Sequence, residues 1–131
     1  MVHEARAAVA AGQVVLERAS LVVRPGTAVG CFYNECERGE AAEAARRLRP
    51  TAAACLAVPT GAEPWTSIPS TYVLCVRDRA IHPDFQRWMS TRAGEVVTLD
   101  TDHSPFMSLP EQFVDLLDGI AGRATARAAT T

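Results

Sequence analysis

Residues 71–76, Thr-Tyr-Val-Leu-Cys-Val, form one continuous, largely apolar run. Such a run marks a strand covered on both faces. A second run, Glu95-Val96-Val97-Thr98-Leu99, reads as another strand. Between them, His82-Pro83-Asp84-Phe85-Gln86-Arg87-Trp88-Met89 opens a helix, with Pro83 in its first turn. Leu109-Pro110 opens a last helix, whose Phe113, Leu116, Leu117 and Ile120 fall at i, i+3, i+4 and i+7. Strand–helix–strand–helix implies a parallel pair joined by a crossover helix. The expected fold class is α/β.

Parallel strands deliver their trailing residues to the same edge of the sheet. Asp78 comes after the first strand and His103 after the second. The carboxyl edge is where open α/β sheets place their sites. An acid and then a His on successive strand ends match the last two members of a Ser…Asp…His series. In that chemistry His is the base, and the carboxylate holds its tautomer and stabilises its cation. The same two residues also fit a plainer account, with Asp78 capping a turn and His103 exposed in a loop beside Asp100 and Asp102. His82 reads as a solvated cap.

The amino-terminal part of the chain is less regular. Residues 2–11 are Ala-rich and favour helix. Residues 13–17 and 20–24 are short β-branched runs closed by Pro25-Gly26, which suggests a hairpin. Thr27 is a candidate cap for a short helix through Cys31 to Asn34. Residues 40–48 carry Ala41, Ala44, Ala45 and Leu48 on one face, with arginines near the end, before Pro50. That pattern is an amphipathic helix. Residues 51–69 hold Pro59, Gly61, Pro64 and Pro69 and read as an irregular connection. After Gly122 the chain is Ala, Thr and Arg only and is expected to fray.

A chain of 131 residues suits one domain. Its net charge of −2 and lack of a basic run argue against nucleic acid or an anionic membrane as partner. No apolar stretch approaches the ~20 residues needed to span a bilayer. No apolar leader segment is evident, so a cytoplasmic location is the expectation. Cys31, Cys36, Cys55 and Cys75 form no Cys-x-x-Cys pair, so reduced thiols are expected and no metal is implied.

Residues 12–121 resemble the carboxy-terminal half of an α/β-hydrolase fold protein, in the branch of methylesterases and hydroxynitrile lyases. The residues that carry this are Phe32-Tyr33-Asn34-Glu35-Cys36, Arg47-Leu48-Arg49-Pro50, Ile68 to Val73, Asp78 to Pro83, Phe85 to Met89 and His103 to Pro110. The resemblance implies a partial α/β-hydrolase fold. A lid-like region with a hairpin and helices would span 1–68, a terminal strand–helix–strand–helix unit 69–122, and a disordered tail 123–131. It also implies that Asp78 is the triad acid and His103 the triad base, acting on small esters or amides without a cofactor. Tyr33, Trp65, Phe106 and Met107 are candidates to line an apolar substrate pocket.

The nucleophile is the missing part. Ser20, Ser67, Ser70, Ser90, Ser104 and Ser108 all lack the flanking glycines of Gly-x-Ser-x-Gly. Ser70 opens the first strand and so belongs at the edge opposite Asp78. The strand at 72–76 is normally interior in this family, so an apolar edge is expected to seek a mate. Two partnerships fit, a homodimer or a complementary Ser-bearing half. A third use needs no nucleophile: a self-associated half that binds a small apolar ligand, or does His–Asp proton transfer of lyase, isomerase or cyclase type.

Overall fold

The computed structural model describes residues 14–17, 20–24, 26–57, 61 and 63–129. The helix expected over residues 2–11 lies outside them. The described chain opens with β1 (Val14–Glu17) and β2 (Ser20–Val23), which pair antiparallel with Val14 opposite Val23 and Glu17 opposite Ser20. This is the expected hairpin. Beyond it stands Gly26, whose φ of 83° is left-handed and suits a residue without Cβ. A short β3 (Thr51–Ala52) adds to β2 antiparallel, so the segment read as irregular contributes an edge.

Between β2 and β3 lie α1 (Ala28–Phe32) and α2 (Arg38–Arg47). Thr27 precedes α1 but does not cap it; its hydroxyl donates back to the Arg24 carbonyl at 2.9 Å. Glu37 caps α2 instead, its carboxylate accepting from the Gly39 and Glu40 N–H groups at 2.7 and 3.0 Å. A Cβ on Gly39 would lie 3.0 Å from that carboxylate, so a residue without Cβ suits this close approach. Ala41 is buried as expected, but the helix stops one residue before Leu48, which turns extended and is partly exposed. Pro50 disfavours helix in the residue before it, which limits how far α2 can run.

A turn of helix, α3 (Ala54–Ala57), and a 3₁₀ turn at Pro64–Thr66 lead to β4 (Thr71–Cys75). Then come α4 (Pro83–Ser90) and β5 (Glu95–Leu99). β4 and β5 pair in parallel, with Thr71 opposite Glu95 and Cys75 opposite Leu99. The crossover helix α4 packs on β4. Leu74, Cys75 and Leu99 are the buried apolar residues of this pair. Among the described residues β4 has β5 as its only strand neighbour.

Two helices close the chain, α5 (Pro105–Ser108) and α6 (Pro110–Ala128). α6 runs past Gly122, where the sequence predicts fraying. Ala and Arg are strong helix formers, and the Thr125 hydroxyl bonds the Ala121 carbonyl one turn back. Phe113, Leu116 and Ile120 are half-buried, whereas Leu117 is exposed.

Candidate functional site

The parallel pairing continues beyond the strands. The Val76 N–H donates to the Leu99 carbonyl at 3.0 Å, and the Arg77 N–H to the Thr101 carbonyl at 2.9 Å. Asp78 and His103 therefore leave the same edge on loops that are stitched together.

Asp78 is buried. Its Oδ1 accepts the Ala80 and Ile81 N–H groups at 2.7 and 2.9 Å, which makes the tight turn into α4. Its Oδ2 lies 2.9 Å from His103 Nδ1. An ionised carboxylate has no hydrogen to give, so Nδ1 of a neutral His103 carries the proton and Nε2 is the acceptor. Nε2 has no hydrogen-bond partner among the described residues, and the imidazole is about one-third exposed. The Phe32 ring stands edge-on to it, with centroids 5.2 Å apart. The Phe32 ring thus stands as an apolar neighbour to an imidazole whose Nδ1 is held by Asp78.

Two polar residues that the sequence did not single out hold this arrangement. Gln86 on α4 is buried, and its Nε2 reaches Asp78 Oδ2 at 3.0 Å. Asp102, next to His103, has no exposed surface. Its carboxylate accepts from the Glu35 N–H at 2.8 Å, the Ser104 N–H at 3.0 Å and the Ser108 hydroxyl at 2.9 Å. The Cys36 thiol is 3.4 Å from it. Asp102 therefore fixes the His103 loop to the segment after α1. Arg77 adds an exposed brace, forking onto Asp100 with two 2.7 Å bonds and reaching Glu35 at 3.1 Å.

The thiols near the site are quiet. Burial, and then the charge of Asp78, raises the Cys31 pKa. Burial with the charges of Asp78 and Asp102 pushes Cys75 up to about 11, and burial with Asp102 pushes Cys36 up to about 12. At neutral pH all three stay protonated, which argues against a thiolate nucleophile beside His103. Among the described residues no group of three or more His, Cys, Asp or Glu is disposed to hold a metal. Nor is any described helix long and apolar enough to cross a membrane.

Of the four candidate pocket residues, Tyr33, Phe106 and Met107 share one open concavity of about 900 Å³ with Glu37, Glu40 and Leu48. Trp65 lies elsewhere. It shares a hollow with Ile68, Ser70, Gly94 and Ile120, at the amino ends of β4 and β5. Ser70 donates to its carbonyl at 3.0 Å, which ties Trp65 to the start of β4, the edge opposite Asp78.

A parallel pair that brings a carboxylate and an imidazole to its carboxyl edge defines an α/β protein with a candidate acid–base site. The profile of the alpha/beta hydrolase family matches residues 3–116, and the chain belongs to that family. It is 38% identical over 65 residues to Methylesterase 9 of Arabidopsis thaliana, covering 47% of this chain and 25% of that protein. It is 30% identical over 96 residues to the alpha/beta hydrolase nvfD of Aspergillus novofumigatus, covering 71% of this chain and 38% of that one. Among solved structures, polyneuridine aldehyde esterase superposes with a TM-score of 0.67 at 22% identity, over 78% of this chain and 43% of its own. Tomato methylketone synthase I gives 0.74 at 19% identity, over 91% of this chain and 54% of its own. These two carry the fold alone. The chain spans about half the length, or less, of the proteins it matches. The partial α/β-hydrolase fold and the methylesterase-like branch expected from the sequence both stand.

Proposed function

We propose that these residues supply the acid and base of a Ser–Asp–His hydrolase acting on small esters, with the nucleophile and oxyanion donors coming from a Ser-bearing half. The observation that carries this reading is the 2.9 Å bond from His103 Nδ1 to Asp78, which leaves Nε2 as the proton acceptor. In the reaction, Nε2 takes the Ser proton as the hydroxyl attacks the ester carbonyl. Asp78 stabilises the imidazolium that forms, and His103 then returns the proton to the leaving alcohol. A second cycle with water as attacker releases the acid. The name of the relative Methylesterase 9 favours an ester over an amide. Tyr33, Phe106 and Met107 are the side chains assigned to meet the acyl or alcohol group, in a concavity that they share with Glu37, Glu40, Glu43 and Arg47. The steps use no cofactor and no metal.

A second reading has one observation in its favour: the Asp78–His103 pair is complete without a serine. A self-associated chain then uses Nε2 for proton abstraction from a small apolar substrate.

Two assays separate these readings. The isolated chain is tested on p-nitrophenyl acetate, and then co-expressed with a separate Ser-bearing α/β-hydrolase half and tested on methyl esters. The hydrolase reading expects no His103-dependent rate from the isolated chain. It expects a rate from the pair that falls ~10³-fold or more in His103→Ala. A pair whose rate is the same with His103→Ala overturns it. A His103-dependent rate in the isolated chain favours the second reading.

A further inference from the structure

We infer that Gln86 is a positioning residue for the Asp78–His103 pair, fixing both the carboxylate and the imidazole tautomer; the inference deepens the hydrolase reading and rests on it for its catalytic consequence. Gln86 lies one turn into α4 and is 2% exposed. Its Oε1 accepts the Cys75 N–H at 2.9 Å. Its Nε2 lies 3.1 Å from the Cys75 carbonyl, 2.8 Å from the Ile81 carbonyl and 3.0 Å from Asp78 Oδ2. One side chain thus joins the end of β4, the Asp78 turn and the crossover helix.

The orientation of this amide is determined by its partners. The Cys75 N–H requires an oxygen, while two carbonyls and a carboxylate face the NH₂ and share its two hydrogens. A flipped amide would set oxygen against three acceptors. The consequence falls on Asp78. Oδ1 takes two backbone N–H groups, and Oδ2 takes Gln86 and His103. Four donors fill the sites at which the carboxylate accepts readily. Rotation of the carboxylate breaks all four bonds, so Oδ2 stays on Nδ1 and Nε2 stays bare.

Other residue types fail at this position for stated reasons. Glu places a second carboxylate beside Asp78 and two carbonyls. Met matches the volume but leaves the Cys75 N–H buried without an acceptor and opens one site on Oδ2.

The test is nitrogen-15 and proton NMR of the His103 ring in the full chain, wild type and Gln86→Met. In the wild type the Nδ1–H proton is expected to exchange slowly, with the neutral ring carrying its proton on Nδ1 rather than on Nε2. In Gln86→Met we expect exchange of that proton to quicken about tenfold or more, with the backbone amide spectrum still dispersed. Unchanged Nδ1–H exchange in a folded Gln86→Met overturns the inference. If that variant does not fold, the wild type decides. Gln86 side-chain amide protons must exchange about tenfold more slowly than those of exposed Gln112, and equal rates overturn the inference. In the Ser-complemented enzyme, Gln86→Met is expected to lower kcat about tenfold with KM unchanged. The NMR result requires no esterase activity, so failure of the hydrolase reading and failure of the Gln86 role are read separately.

Discussion

The buried Asp102 carboxylate accepts the Glu35 backbone N–H at 2.8 Å, and this bond holds the His103 loop against the chain that leaves α1. The other Asp102 oxygen takes the Ser104 N–H at 3.0 Å and the Ser108 hydroxyl at 2.9 Å. Both loop and strap thus close on one carboxylate. A single buried acceptor with donors on both oxygens tolerates no amide in its place, because an Asn must turn its NH₂ toward a donor. We expect Asp102→Asn to cost about 2 kcal/mol, the usual penalty of an unsatisfied buried group. The drop in urea midpoint, with unchanged slope, measures it.

Asp100 is two residues away and makes the opposite case. Its fork with Arg77 is exposed, and Arg77 holds the Asp100 carboxyl below the usual carboxylate range. Exposed pairs are screened and contribute little. Asp100→Asn is therefore expected to move the urea midpoint far less than Asp102→Asn, and less again in high salt. Because the Asp100 pKa is lowered on folding, its small contribution is present above the ordinary carboxylate range and lost as pH falls through the folded pKa. Equal losses in the two variants, at neutral pH and low salt, would show that burial is not what distinguishes them.

Thiol modification probes the packing of the strands. Cys55 is exposed, whereas Cys31 and Cys75 are buried and their pKa values raised. With a disulfide reagent at neutral pH, Cys55 is expected to react first, and Cys31 and Cys75 only on unfolding. Mass mapping of the modified chain reads the order directly. Prompt labelling of Cys75 would contradict the packing of β4 against α4.

Alkaline unfolding depends on the same thiols. Unfolded Cys ionises near pH 9, whereas Cys75 and Cys36 in the fold wait until about 11 and about 12. Between those limits the unfolded chain loses protons that the fold keeps, so stability falls as pH rises, by about 1.4 kcal/mol per pH unit at most for each thiol. The chain has no lysine, which leaves mainly tyrosines as competitors in this window. Urea midpoints at pH 8 and pH 11 are expected to differ, and Cys36→Ser with Cys75→Ala to narrow the gap. An equal gap in that double variant would assign the alkaline loss elsewhere.

The sequence made β4, α4 and β5 legible because their signals are strong and local. An apolar run, a Pro at N1 and a β-branched run each point one way. The placement of Asp78 near His103 comes from the parallel pairing alone. Gln86 and Asp102 were not legible, because both residue types are mostly exposed and neither breaks a pattern. A retrospective signal exists for Gln86: it shares a stripe of α4 with Ser90, and that stripe is the buried one. The strand within 51–69 escapes a sequence reading for a different reason. β3 is two residues long and owes its pairing to β2, which local propensity does not reveal. Residue type alone groups Trp65 with Tyr33, Phe106 and Met107. The Ser70 hydroxyl, bonded to the Trp65 carbonyl, holds it at the opposite edge.

The side of β4 away from β5 bears on how the chain assembles; Gln86 occupies it at Cys75, whose N–H and carbonyl it binds. β4 pairs with β5 on one side, and among the described residues no strand lies on the other. Val73 and Leu74 in the middle of this strand are apolar, the kind of edge that recruits a further strand. A two-stranded parallel sheet is also a thin core for an isolated domain. The purified chain is therefore expected to scatter light as a particle heavier than its 14.1 kDa monomer. Addition of a Ser-bearing half that completes the sheet is expected to convert it to a one-to-one complex, since both mates compete for one edge. A stable monomer that ignores the added half would mean that the β4 edge is already satisfied, and would remove the physical basis for a partner there.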